Sequence, residues 1–370
     1  MIGGMTTSST TILEENKEEE RIYSNFINSL RSPVTKAQYA VALKHYMKFH
    51  NLTYYSELMS LPSSQIFEDI KSFIISMVER GCSTSNMDSH IYALKNFYDM
   101  NDREDIRWRK LKRFRGEETE PHESRRYHHE EIQTLLNICD LRMKASTLLM
   151  CSGGLRVGAL EPLIVSHLER KGDLYKVNVY KGLKGRGKYF TFCTPECAKA
   201  IDTYLEFRER CGEKVGSDSP LFRKDFDSEL PDDARKHVYP WAYDAIKKAY
   251  DAKLIKAGLR TIDHVNRFNR KPVKMTHGFR FFFKSQLVLA KVDPDLREIL
   301  LGHSEKDLKL VYTKMSEDEM LEEYLKAVDN LTINPENRLR RKVEKLEVEK
   351  TEIQSLRLEL EKVKLAIGTK

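Results

Sequence analysis

A set of cationic and proton-handling side chains runs in order through the chain. Arg156 sits in Ser152-Gly153-Gly154-Leu155-Arg156-Val157-Gly158, and Lys184 sits on a basic turn, Lys184-Gly185-Arg186-Gly187-Lys188. His277 and Arg280 stand three residues apart, His303 lies in Leu301-Gly302-His303-Ser304, and Tyr312 follows nine residues later in Val311-Tyr312-Thr313. Singly each is ordinary, since a lone arginine is commonly a solvated charge, and a histidine or tyrosine among aliphatics a satisfied core residue. Together they could grip an oxyanion and move protons around it.

In this order the pieces resemble the tyrosine recombinase (phage integrase) family: Gly154-Leu155-Arg156, a hairpin Lys184, His277-Gly278-Phe279-Arg280, Leu301-Gly302-His303-Ser304, then Tyr312. The strand-to-helix edge Phe190-Thr191-Phe192-Cys193-Thr194-Pro195-Glu196 is similar to the archaeal and archaeal-virus branch. The resemblance covers about residues 21–330. It implies a helical core-binding domain before a catalytic domain. It also implies site-specific strand breakage and rejoining without metal or cofactor, on double-stranded DNA carrying an attachment site, by a homotetramer on synapsed DNA. The implied reaction is transesterification: the Tyr312 oxygen attacks phosphorus, a 5′-hydroxyl leaves, and a 3′-phosphotyrosyl link forms.

Physical chemistry accounts for the residue types. The pentacoordinate transition state of a phosphodiester gathers negative charge on its equatorial oxygens, and guanidinium forks from Arg156 and Arg280 match two of them. A tyrosine hydroxyl titrates near pH 10, so its attack needs a base or local positive charge. His277 is the candidate base and His303 a donor to a phosphate oxygen. Lys184 is the candidate acid for the leaving oxygen, with Lys181 and Lys188 on the same hairpin as alternates. One departure concerns Arg156: the acidic residue common three positions later in the family is Ala159 here. Glu161 lies about 200° round a helix from that position, so another group is expected to orient the arginine.

The elements that must position these groups follow from periodicity. Residues 21–101 read as four helices: one carrying Ile22, Phe26 and Leu30, one capped by Thr35, one capped by Ser64 and ended by Gly81, and one opened by Ser83. Residues 102–126 read as a linker, basic and then acidic, whose Arg107, Arg109, Lys110, Lys112, Arg113 and Arg115 could track a phosphate backbone. Residues 127–330 read as the catalytic domain, mostly helical, with a hairpin of strands 174–180 and 189–193. The fold class is therefore mainly α with a small antiparallel β-sheet (α+β). Residues 331–370 read as a long amphipathic helix in which Leu339, Leu346, Ile353, Leu360 and Ile367 recur every seven residues, with an imperfect companion seam. That helix could oligomerise as a short coiled coil or dock on its own domain.

Composition bounds the rest. The 370 residues are 40% hydrophobic and 32% charged, enough apolar content for globular cores. Net charge is +7, with an acidic tail over 1–20, read as disordered, and a basic C-terminal segment. The body between them suggests a polyanionic partner. No run of 18 apolar residues exists, and the first 20 residues lack the apolar core of a secretory signal. Six cysteines form no CxxC pair. A cytoplasmic, nucleoid-associated location without membrane contact is expected. Rival readings of the same residues are a chromosome-dimer resolvase, a type IB topoisomerase-like relaxase, and a catalytically silent DNA-binding relative.

Overall fold

The computed structural model describes residues 6–116, 125–183, 187–260, 273–303 and 315–368. The chain folds as two compact units, the first over 6–116 and the second over the described residues from 125 onward.

The first unit is a helical bundle of α1 (Thr6–Asn28), α2 (Pro33–Phe49), α3 (Tyr55–Ser60), α4 (Ser63–Glu79), α5 (Thr84–Asp99) and the single turn α6 (Trp108–Leu111). Apolar residues three and four apart turn one face of each long helix inward. Ile22 and Phe26 of α1, Leu43 and Tyr46 of α2, Ile70 and Phe73 of α4, and Leu94 and Phe97 of α5 are all buried. Ser83 caps α5 by accepting from the Asn86 N–H at 3.3 Å. Two starts differ from the sequence reading: Ser32 rather than Thr35 caps α2, and α4 begins at Ser63 behind Pro62. At both sites a proline fixes the entry, at N1 of α2 and at the N-cap of α4, and so decides where each helix begins.

Two segments overturn their sequence reading. Part of the acidic tail is helical, because α1 runs from Thr6 into the Ile22–Phe26 anchor. The Glu19 carboxylate accepts from the Tyr55 and Ser56 N–H groups at 2.7 and 2.8 Å, satisfying the start of α3. The basic half of the expected linker is part of the first unit. Ile106, Trp108 and Leu111 are buried in its core, and Arg103 donates to the Met59 and Leu61 carbonyls at 2.9 and 3.0 Å. Three apolar side chains spaced through a cationic run were enough to fold it down.

The second unit begins with α7 (His129–Asn137) and α8 (Leu141–Gly153), followed by β1 (Leu168–Lys171), β2 (Leu174–Val179) and β3 (Tyr189–Phe192). Then come α9 (Pro195–Arg210), α10 (Pro231–Arg235), α11 (Tyr243–Lys256), α12 (His277–Leu289), α13 (Pro294–Leu300), α14 (Glu317–Leu325), α15 (Val328–Leu331) and α16 (Pro335–Gly368). Helix α8 is its central post, buried from Met143 through Gly153 apart from Lys144 and packed on α9 and α12. Its hydroxyls have internal partners: Ser146 and Thr147 meet the Tyr250 hydroxyl at 2.8 and 2.9 Å, and Ser152 bonds the Leu148 carbonyl at 2.7 Å. The sheet is antiparallel in the order β1-β2-β3, with Leu168 opposite Val177 and Val179 opposite Tyr189. Strand β1 has no counterpart in the sequence reading. Three of its four residues are charged, and it is held by polar contacts such as Arg170 to Asp202 at 2.6 Å and Lys171 to Glu317 at 2.8 Å.

Among the described residues, the C-terminal helix is tied to its own unit at its start. Glu196 accepts from the Ile333 and Asn334 N–H groups, and Asp329 accepts from Arg341 at 3.0 Å and from Lys345. Beyond that, Leu346, Ile353, Leu356 and Leu360 are exposed. No helix among the described residues is long and apolar enough to cross a membrane.

Candidate functional site

The end of α8, the start of α12, the end of α13 and the β3 edge converge. Helix α8 stops at Gly154, whose φ of +65° no side-chain-bearing residue adopts easily, and a Cβ there would strike the Phe283 ring at 2.3 Å. This turn exposes Arg156 as the next element starts, and among the described residues its guanidinium makes no hydrogen bond. Ala159 is buried, and Glu161 accepts from the Tyr243 N–H at 3.2 Å, where it serves the start of α11 rather than Arg156.

Arg280 is the opposite case. It is 4% exposed, and its Nη1 donates to the Gly154 carbonyl at 2.7 Å. Its Nη2 donates to the Leu301 carbonyl and to His303 Nε2, the latter at 3.1 Å. Two main-chain carbonyls and one imidazole thus hold the fork. Burial first, and then the like charge of Arg156, push the Arg280 guanidinium down to about 10. A bound anion such as a phosphate would offset that repulsion.

His303 completes a chain. Its Nδ1 bonds Glu298, which in turn accepts from Lys284 Nζ at 2.7 Å. Partial burial raises the Glu298 carboxyl, but Lys284 and His303 hold it below the usual carboxylate range. His277, exposed in the first turn of α12, has its imidazole pushed down by desolvation and by Lys274, Arg280 and Arg156. The helix N-terminus adds to that. A neutral imidazole among cations is a proton acceptor at neutral pH.

Of the six residues singled out by spacing, four are described: Arg156, His277, Arg280 and His303. The structure puts Arg280 and His303 in direct contact and sets the charges of Arg156 and His277 beside them. Lys184 and Tyr312 lie outside the described residues. Lys181 and Lys188 are exposed at the two roots of the hairpin. Glu298 and Tyr189 were not found from sequence. Glu298 sits five residues before His303, outside helical periodicity, because the chain turns at Gly302 between them. Tyr189 packs its ring where a Cβ on Gly302 would stand at 2.5 Å, and its buried hydroxyl lies beside the Arg280 guanidinium. Burial pushes that phenol up to about 12 against the pull of Arg280.

In the first unit, Arg107, Arg109, Lys110 and Arg113 are exposed. Lys112 donates to the Tyr92 hydroxyl at 2.9 Å and Arg115 pairs with Asp88, so two of the six cations are partly engaged. A separate concave face among α2, α4 and α5 is lined by His45, Lys48, Arg80, Asn86 and His90 and holds no carboxylate.

Residues 125–319 match the phage integrase family. No curated protein sequence matches the chain. Among solved structures, the chain is similar to the integrase of transposon Tn1549 in complex with circular intermediate DNA, at 17% identity and a TM-score of 0.54, covering 82% of this chain and 97% of that one. The Tn1549 integrase with transposon right end DNA gives 18% identity and a TM-score of 0.51, over the same 82% and 97%. XerH recombinase on a palindromic difH substrate gives 16% identity and a TM-score of 0.50, covering 78% of each chain. With more than half of its length matched by the family and its fold shared with these enzymes, this chain belongs to the phage integrase family and is a tyrosine site-specific recombinase.

Proposed function

We propose that this recombinase acts as an integrase, joining and releasing a mobile DNA element at a specific attachment site through a 3′-phosphotyrosyl intermediate. The observation that carries the reading is the buried Arg280 fork, anchored on Gly154, Leu301 and His303 beside the unengaged Arg156. A cation fixed before substrate arrives, as Arg280 is, is worth about 3–4 kcal/mol to a transition state that gathers charge there.

In this mechanism the Tyr312 oxygen attacks the phosphorus and the bond to the 5′-oxygen breaks. His277 takes the phenolic proton, and Lys184 returns one to the leaving oxygen, with Lys181 or Lys188 as alternates. The two arginines bind the non-bridging oxygens throughout. The tyrosyl ester keeps the phosphoester bond energy, so a second 5′-hydroxyl can reverse the step. Double-stranded DNA would be held by Arg107, Arg109, Lys110 and Arg113, with Lys112 and Arg115 nearby, and by the carboxylate-free face of the first unit. The Phe190–Glu196 edge favours the archaeal branch, and the apolar seam of α16 favours assembly into a tetramer on synapsed sites.

The test uses a nicked suicide duplex built from the DNA flanking the gene. Wild type is expected to trap as a covalent protein–DNA adduct, and Tyr312→Phe is expected not to. Adduct on any duplex regardless of sequence, with relaxation of supercoils, would favour a type IB-like relaxase. No adduct on a duplex the protein binds specifically would favour a silent binding relative.

A further inference from the structure

The His303 ring touches a group at each nitrogen, and the two together decide where its proton lies. Arg280 Nη2 stands 3.1 Å from His303 Nε2, and a guanidinium has donors only. Nε2 must therefore accept. The single ring proton is then on Nδ1, where it is donated to Glu298. Turning the ring over would put carbon against both partners. Glu298 is available as a carboxylate, since Lys284 and His303 hold it ionised.

We propose that Glu298 is a positioning residue of the recombinase site: its carboxylate fixes the His303 proton on Nδ1, so that Nε2 faces Arg280 as an acceptor and completes the anchorage of the guanidinium before DNA binds. The proposal rests on the recombinase reading of this pocket. It alters the expected role of His303. In this arrangement Nε2 has no proton to offer a phosphate oxygen, so the ring serves the arginine first. Donation to DNA requires a second proton on the ring, and a carboxylate at Nδ1 is the group that stabilises an imidazolium so formed. Helix α13 is built for the task. Asp293 caps its start by accepting from the Leu296 N–H at 3.1 Å, and Gly302, at φ +65°, turns the chain so that His303 folds back on the last turn. Glu298 faces that fold, and Lys284 reaches it from α12 on the solvent side.

The test pairs a spectroscopic readout with a kinetic one on the full chain. In DNA-free protein carrying ¹⁵N-histidine, long-range ¹H–¹⁵N correlation reads the tautomer of His303, assigned by the signals that vanish in His303→Gln. Wild type and Glu298→Gln, whose side-chain carbonyl still accepts, should show the Nδ1–H form. Glu298→Ala should let the ring turn away from Arg280 and show the mixture of free imidazole. Adduct formation on the nicked duplex should slow by about 10–100-fold in Glu298→Ala and stay within about threefold of wild type in Glu298→Gln, with DNA affinity kept in both. Lys284→Ala should stay within about twofold, because the bond to His303 remains. An unchanged tautomer in Glu298→Ala overturns the proposal. So does a Lys284→Ala loss equal to that of Glu298→Ala, since the carboxylate would then merely tie α12 to α13. If wild type forms no adduct at all, the functional reading fails while the tautomer measurement still decides the claim about Glu298.

Discussion

At the scale of single residues, the site is a balance of protons among cations. His277 sits at the positive end of α12 with Lys274, Arg280 and Arg156 around it, and desolvation and those charges hold its imidazole below the ordinary value of 6.5. If it takes the Tyr312 proton, it must be neutral to work. Its folded value is lowered, so the acidic limb of single-turnover adduct formation should be centred below pH 6.5, where the ring protonates. His277→Gln should remove that acidic limb and cost about 10²–10⁴-fold in rate at neutral pH. A limb centred above 6.5 in wild type would assign the proton to another group. Tyr189 shows the same economy from the other side: its ring supports the Gly302 turn while its hydroxyl faces the two arginines.

At the scale of elements, the basic run of the first unit depends on three apolar anchors. Trp108 and Leu111 sit on one face of α6, and Ile106 precedes them, so the intervening Arg107, Arg109 and Lys110 are turned to solvent. Leu111 is fully buried. Leu111→Ala should cost about 2–5 kcal/mol in that unit, read by chemical denaturation. It should also loosen the display of cations, flattening the salt dependence of DNA binding by about 0.9 log units for each phosphate no longer neutralised. Reduced stability with an unchanged salt slope would remove this run from the DNA interface. Turns matter as much as helices in the second unit. Gly154 and Gly302, both left-handed, aim the carbonyls of Gly154 and Leu301 at Arg280, so the buried charge is met by backbone geometry as well as by side chains.

For the whole molecule, the exposed seam of α16 is, among the described residues, a long apolar row without an internal partner. Its first three turns are pinned by Glu196 and Asp329, and Leu346, Leu356, Leu358 and Leu360 beyond them face solvent. Truncation after Lys345 keeps every one of those pins. The truncated protein should keep its thermal stability and its adduct formation on a single nicked site. It should lose higher assembly on paired sites, measured by sedimentation with DNA. Unchanged assembly would show that the seam serves something else.

How much of this was legible in the chain follows from range. The motif Gly154-Leu155-Arg156, the pair His277 and Arg280, and His303 in Leu301-Gly302-His303 are local, and residue type with spacing named them along with the helices that carry them. The hairpin was legible too, because the alternation of Val177, Asn178 and Val179 has period two. What folding alone decided is what brings distant residues together. Glu298 meets His303 through a glycine turn, Tyr189 fills the space beside Gly302 from another strand, and Glu161 is drawn to Tyr243 and away from Arg156. Strand β1 is charged, and its place was set by pairing with β2 rather than by any pattern of its own. Sequence specifies side-chain chemistry and local period. Which proton faces which acceptor depends on tertiary distances of about 3 Å, and no periodicity encodes those.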